Sequence, residues 1–117
     1  MKYMLLFWVD ESGEVTAEED AALKVAVKSW LEEMTERGVR VGGGPLRSAR
    51  EAKIVSVRDR ELLVSDGPFA ETKEQIGGYD VVECPDMDTA LQVAAGHPLA
   101  QTAQVEVRPF WDAPWAD

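Results

Sequence analysis

The first predicted strand, residues 2–9, is apolar on both of its faces. Two sets of side chains alternate along it, Tyr3, Leu5, Phe7 and Val9 on one side and Met4, Leu6 and Trp8 on the other. Successive side chains of a strand project to opposite sides of the sheet, so both sides of this sheet need a cover. A chain of 117 residues has room for one compact domain, which leaves few elements to provide that cover.

Hydrophobic periodicity and turn residues predict two helices and several strands around the first one. A capping-box spacing at Thr16 and Glu19 predicts a helix over residues 17–37, and Asp86 is placed to cap a second helix over 87–95. Further strands are predicted at 39–46, 79–83 and 105–110, with a hairpin between 52 and 64. The resulting β-α-β-β-β-α-β order predicts an α+β fold close to the ferredoxin-like arrangement, with one additional strand.

Two helices can cover only one face of such a sheet. A second copy of the chain is the simplest cover for the other face, because closed two-fold dimers dominate among soluble oligomers. We therefore expect two sheets packed face to face in a dimeric α+β barrel, with an interface of more than about 2,000 Å² in total.

The charge balance narrows the classes of partner. Lys and Arg number 12 against 22 Asp and Glu, for a net charge of −10 and a pI near 4.5. Such acidity disfavours binding to nucleic acids or anionic membranes. The segment from Arg37 to Arg60 is an exception, because its net charge is +5. The remainder of the chain therefore carries a net charge of −15. The chain has a single cysteine, whereas an intramolecular disulfide needs two. Its longest apolar run has seven residues, which is too short to span a membrane. We therefore expect a cytoplasmic protein without a membrane span.

The most closely spaced candidate functional residues lie between Asp66 and Gly78, a segment that the sequence predicts to be a charged loop. Asp66-Gly67-Pro68 is typical of a turn, and Phe69 would anchor the loop to the core. Four ionisable groups follow one another closely, and they are our candidate catalytic residues: Asp66, Glu71, Lys73 and Glu74. Neighbouring carboxylates and amines tune one another's pKa values, as general acid–base catalysis requires. The alternative is a solvated loop held by one Phe and an internal salt bridge.

A cleft between sheet and helices is expected to be lined by Trp8, Trp30 and Phe69, with Pro68 and His97 as further candidate binding residues. His97, the single histidine, follows the second predicted helix, where its cationic form is favoured by about 0.3–1 kcal/mol. The alternative role for His97 is a C-cap that donates to free helix carbonyls. One His and one Cys, far apart in sequence, do not make a zinc site of the usual composition, and no metal or other cofactor is predicted.

A resemblance to a known family rests on one string and its surroundings. The string Asp66-Gly67-Pro68-Phe69-Ala70-Glu71-Thr72-Lys73-Glu74, followed by Gly77-Gly78-Tyr79, resembles the signature of DGPF-type proteins of the YCII-related (YciI-like) family. The similarity extends over most of the chain, from the opening strand at Met1 to the closing strand at Val105–Phe110. It implies a single domain over residues 1–110, with 111–117 a short aromatic tail, and a ferredoxin-like protomer that dimerises into an α+β barrel.

The resemblance implies less about chemistry than about fold. A His–Asp pair is the proposed active site of the wider family, but the first predicted helix of this chain contains no histidine, so that His is not carried over. Asp66, Pro68, Phe69, Glu71, Lys73 and Glu74 match the DGPF motif position by position. Two functions remain open: a small enzyme or small-molecule-binding protein that uses these acid–base residues, or a non-catalytic regulatory module associated with an extracytoplasmic-function sigma factor.

Overall fold

A computed structural model describes residues 1–67 and 72–115. They form an α+β fold of two helices and antiparallel sheets, as predicted. The helices are α1 (Ala17–Glu36) and α2 (Met87–Ala95). The strands are β1 (Lys2–Asp10), β2 (Arg40–Pro45), β3 (Lys53–Arg58), β4 (Glu61–Asp66), β5 (Glu74–Glu83) and β6 (Gln104–Pro109).

The predicted β-α-β-β-β-α-β order has one strand too few, because it counts the predicted hairpin as a single strand. Four strands, rather than three, lie between the helices, because both halves of the predicted hairpin are fully paired from Lys53 opposite Asp66 to Arg58 opposite Glu61. The main sheet has the order β2-β5-β1-β6 with every neighbour antiparallel. β3 and β4 form a separate two-stranded sheet.

β5 begins at Glu74, five residues before its predicted start, so part of the predicted charged loop is a strand. The pairing of β1 with β5 shifts between Phe7 and Trp8, and Gly77 lies at that irregularity. A Cβ on Gly77 would lie 2.6 Å from Cγ2 of Val9, and one on Gly78 would lie 3.2 Å from the carbonyl oxygen of Gly44. These two glycines therefore allow close approach within a bulged strand instead of ending a loop.

Both helices pack on one face of the main sheet, which we call the inner face. Its strands contribute Tyr3, Leu5, Phe7 and Val82, and the helices contribute Trp30, Met34, Ala90, Val93 and Ala94 to the same buried cluster. On the opposite, outer face, Met4, Leu6 and Trp8 of β1 are only half-buried. The apolar second face that the sequence predicts is thus present and carries no helix.

The helix ends follow the predicted capping chemistry. Oγ1 of Thr16 accepts a hydrogen bond from the backbone N–H of Glu19 at 3.0 Å, and Oδ1 of Asp86 accepts one from the N–H of Thr89 at 2.8 Å. Such N-caps satisfy amides that a helix cannot bond internally.

Among the residues that the structure describes, neither helix is long and apolar enough to cross a membrane.

The β3–β4 hairpin, Lys53–Asp66, projects from the rest of the chain, and we call it the arm. All of its residues except Ile54 are exposed. The radius of gyration is 16.4 Å, against about 13 Å for a compact chain of this length. The arm turns through Asp59 and Arg60, both with positive φ, as a tight hairpin turn requires.

A bulge in β2 brings its backbone unusually close to β5. The register shifts between Arg40 and Gly42, and Gly43 has φ +136°. A Cβ at Gly43 would collide with the carbonyl oxygen of Tyr79 and would lie 2.5 Å from Oδ1 of Asp80. Glycine is therefore required here both by backbone conformation and by space.

We predict that Gly43→Ala lowers the free energy of unfolding by about 3 kcal/mol, because the methyl group strains the backbone and collides with β5. Gly44→Ala is the matched control, since a Cβ there meets no atom of the chain within 4 Å. Urea unfolding followed by tryptophan fluorescence measures both. Equal losses in the two variants would show that the close approach at Gly43 does not constrain the fold.

Candidate functional site

A cavity of about 340 Å³ lies between α1 and the inner face of the sheet. Its walls are mainly apolar and include Phe7, Val9, Val27, Leu31 and Leu99, and the backbone of four glycines in β2 and β5 completes them. Three side chains bring charge or titratable groups to it: Arg40, Asp80 and His97. An apolar cavity with a few convergent polar groups is the common form of a small-molecule site.

Asp80 is a carboxylate on the buried face of the sheet. It lies opposite Leu5 of β1, and its residue is 4% exposed. Nε of Arg40, from β2, donates a hydrogen bond to Oδ1 of Asp80 at 2.8 Å. Burial raises the pKa of Asp80, and the hydrogen bond and charge of Arg40 offset that rise only in part. A carboxylate with a raised pKa beside a cavity is a recognised mark of functional sites.

His97 is held in one orientation by its neighbours. Its ring centroid lies 4.3 Å from that of Phe7 and 4.7 Å from that of Trp30, which meets it edge-on. Nδ1 accepts a hydrogen bond from the backbone N–H of Leu99 at 3.1 Å. In the neutral ring the proton therefore resides on Nε2, and that N–H is the donor the ring can offer a ligand.

The predicted cationic form of His97 is wrong. Its residue is 2% exposed, and burial lowers the pKa of His97 from 6.5 to about 4. The helix end would stabilise the cationic ring by about 1 kcal/mol at most. The desolvation free energy that lowers the pKa this far is larger, so the neutral ring is favoured. In the structure Gly96 is the C-cap of α2, and His97 caps the short 3₁₀ helix Pro98–Ala100 through Nδ1, which accepts a hydrogen bond.

The two candidate tryptophans lie on opposite faces of the sheet. Trp30 is buried on the inner side, where its Nε1 donates to the carbonyl oxygen of Val93 at 3.3 Å and its ring contacts His97. Trp8 lies on the outer side, and its Nε1 donates to Oε1 of Glu106 at 2.9 Å. Because strand residues alternate between faces, Trp8 and Trp30 do not line a common cleft.

The candidate catalytic residues that the structure describes lie away from the cavity. Asp66 ends the arm and forms an exposed ion pair with Lys53. Lys73 is exposed, and Glu74, which begins β5, lines an open groove together with Trp8. Pro68, Phe69 and Glu71 lie outside the described residues, so their predicted roles stay predictions.

The two charged residues of the cavity, Arg40 and Asp80, are not among the site residues predicted from the sequence. A signal for Asp80 exists, since it lies two positions from Val82 and so shares the buried side of its strand. A carboxylate at a buried position needs a partner. Arg40, however, is 40 residues away, and only the register of β2 with β5 shows that it is this partner.

We predict that the ring of His97 does not titrate between pH 5.5 and 8. The chain has one histidine, so its ring protons give an unambiguous NMR signal. Since the folded pKa of about 4 lies below the unfolded value of 6.5, the unfolded state binds the proton first as the pH falls. Stability should be independent of this group above pH 6.5 and lose about 3 kcal/mol between pH 6.5 and 4.

The variant His97→Phe separates the loss of stability caused by protonation of His97 from the loss caused by protonation of carboxylates. It keeps an aromatic ring against Phe7 and Trp30, and its unfolding free energy should fall less than that of the native chain over the same pH range. A midpoint for the His97 ring above pH 6, or equal pH dependence in the two proteins, would contradict the buried neutral histidine.

Comparison with known proteins places the chain in a family. The family model of the YCII-related domain matches residues 1–114. An uncharacterized protein of Rhizobium meliloti (strain 1021) is 33% identical over 114 residues, which cover 94% of this chain and 92% of that protein. The matched range contains the complete cavity and the arm. The resemblance to the YCII-related family is confirmed, and the chain belongs to that family.

Proposed function

We propose that this chain binds a small, largely apolar and uncharged organic molecule in the cavity between α1 and the sheet. One observation carries the proposal: an ion pair between half-buried Arg40 and buried Asp80 borders an otherwise apolar cavity of about 340 Å³. A buried ion pair is seldom more stabilising than apolar residues of the same volume. The presence of the Arg40–Asp80 pair beside the cavity therefore supports a role for these residues in recognising a ligand.

The charges of the site indicate the charge of the ligand. Arg40 and Asp80 neutralise each other, and His97 is neutral. A charged ligand would bring an uncompensated charge into a poorly solvated space, which is costly. A carbonyl or hydroxyl group, in contrast, can accept a hydrogen bond from the guanidinium of Arg40 or from the Nε2–H of His97. A hydroxyl group can also donate to the carboxylate of Asp80.

The same three groups are suited to acid–base chemistry. The carboxylate of Asp80, with its raised pKa, can accept a proton, and two N–H donors can stabilise negative charge on a ligand oxygen. We favour this set over the acid–base residues of the DGPF string, Asp66, Glu71, Lys73 and Glu74. The reason is that Arg40, Asp80 and His97 border one cavity, whereas Asp66 is paired with Lys53 on the exposed arm.

We also propose that the protomer is ferredoxin-like and forms a dimeric barrel through its outer face. The order β2-β5-β1-β6, with a helix after β1 and another after β5, supports the ferredoxin-like assignment. The outer face supports the dimer, because its apolar side chains are only half-buried and no described helix covers them. These side chains are Met4, Leu6, Trp8, Ile76 and Val81.

The ligand charge is tested with four compounds of similar size: benzyl alcohol and acetophenone, which are neutral, benzoate and benzylammonium. We predict that the neutral pair shifts the NMR signals of the His97 ring and the Trp30 indole. The charged pair should bind at least about tenfold more weakly, because a charge would be desolvated in the cavity.

Two arginine variants locate the binding. Arg40→Gln should weaken binding of the neutral compounds, since it removes the guanidinium from the cavity. Arg47→Gln, at an exposed arginine that does not line this cavity, should leave the affinity unchanged. Tightest binding of benzoate or benzylammonium, or shifts confined to residues distant from His97, would refute the proposed site.

The dimer is tested by light scattering at low micromolar concentration. We predict a mass of two 12.9 kDa chains, because leaving the outer face in water would forgo roughly 1.5–3 kcal/mol for each large apolar side chain. The mass of a single chain would refute the dimeric barrel without affecting the cavity.

A further inference from the structure

We propose that the arm, Lys53–Asp66, docks on a second copy of the chain through one apolar face. The inference rests on the dimer proposed above and adds a second element to its interface. Four side chains form this face, two from each strand of the arm: Val55, Val57, Leu62 and Val64.

The register of the hairpin makes these four side chains neighbours. Val55 lies opposite Val64 and Val57 lies opposite Leu62, so all four project from the same side of the arm. Their exposed fractions run from 57% to 66%. A contiguous apolar surface of this kind is uncommon on a monomer and typically marks an interface.

Within the part of the chain that the structure describes, the arm contacts its own chain at its base and through its opposite face. At its base, the N–H of Gly67 donates to the carbonyl oxygen of Ala52 at 2.9 Å. Ile54, the half-buried residue of the arm, projects from the opposite face and lines a hollow with Leu46 and Ile76. A two-stranded hairpin with so few contacts is marginally stable in water, and it gains stability if its apolar face is covered.

Charge favours a second copy as the cover. The arm contains three cations and three anions and so is neutral, while the rest of the chain carries −10. A basic partner would be attracted to the rest of the chain and not to the arm. A neutral arm, with Arg58 and Arg60 at its tip, is not repelled by an acidic partner, and a second copy at −10 is such a partner.

The shape of the protomer is compatible with a dimer. Stable interfaces bury about 1,600 Å² or more in total, and a two-fold dimer buries each contributing patch twice. The outer face and the apolar face of the arm belong to the same chain, and the protomer measures only 19 Å along its shortest axis against 48 and 45 Å along the others. In so flat a protomer the arm lies far from any second layer of its own chain, and a two-fold copy can cover its apolar face.

The experiment replaces one cross-strand pair of the arm with charged residues. The double variant Val57→Asp, Leu62→Lys leaves the net charge unchanged and puts opposite charges on facing residues, which preserves the pairing of the hairpin. The matched control is Val15→Lys, Val25→Asp, which makes the same two changes at exposed valines outside the arm. Sedimentation equilibrium measures dimer dissociation, and circular dichroism monitors the fold.

We expect the arm variant to dissociate at least 100-fold more readily than the native dimer, with an unchanged circular dichroism spectrum, and the control to dimerise like the native chain. If the arm variant loses its fold, Val55→Thr with Val64→Thr replaces it, and at least tenfold weaker dimerisation is expected. A native dimer whose affinity survives the arm substitutions would overturn the docking of the arm and leave the sheet-to-sheet dimer standing. A monomeric native chain would overturn both.

Discussion

The two-sided apolar character of β1 is the constraint on which the rest of the structure depends. Tyr3, Leu5 and Phe7 require the two helices, which pack against them and close the core. Met4 and Leu6 then face the other way, where residues 1–67 and 72–115 provide no third α-helix. A sheet so divided has one side available for an internal cavity and one side for a second copy, and the proposed binding and assembly follow this division.

The cavity depends on polar groups that the sheet holds rigidly. Gly43, in its strained bulge, lets β2 approach β5 closely enough for Arg40 to reach Asp80. His97 is kept neutral by burial between Phe7 and Trp30. The three polar groups therefore form an electrically balanced set inside an apolar wall, which is a suitable surface for a small uncharged molecule.

Local signals predict much of this fold, and pairing between distant segments explains what they miss. The caps at Thr16 and Asp86 and the extent of α2 follow from residues close in sequence. The early start of β5 does not, because Glu74–Gly78 becomes a strand only by pairing with β1 and β2. The cavity is harder still to predict. Arg40 contacts Asp80 only because of the register of two strands. The burial of His97 depends on Phe7 and Trp30, which are both distant from it in sequence.

Oxidation of individual methionines by dilute hydrogen peroxide, followed by mass spectrometry, tests most directly whether both faces of the sheet are covered. Met34 is buried under the helices, Met1 is exposed, and Met4 lies on the outer face between these extremes. We expect Met4 to be protected nearly as well as Met34 at micromolar concentration and to become reactive on dilution, because a second copy covers it. Oxidation of Met4 at the rate of Met1 at every concentration would show that the outer face stays open to water.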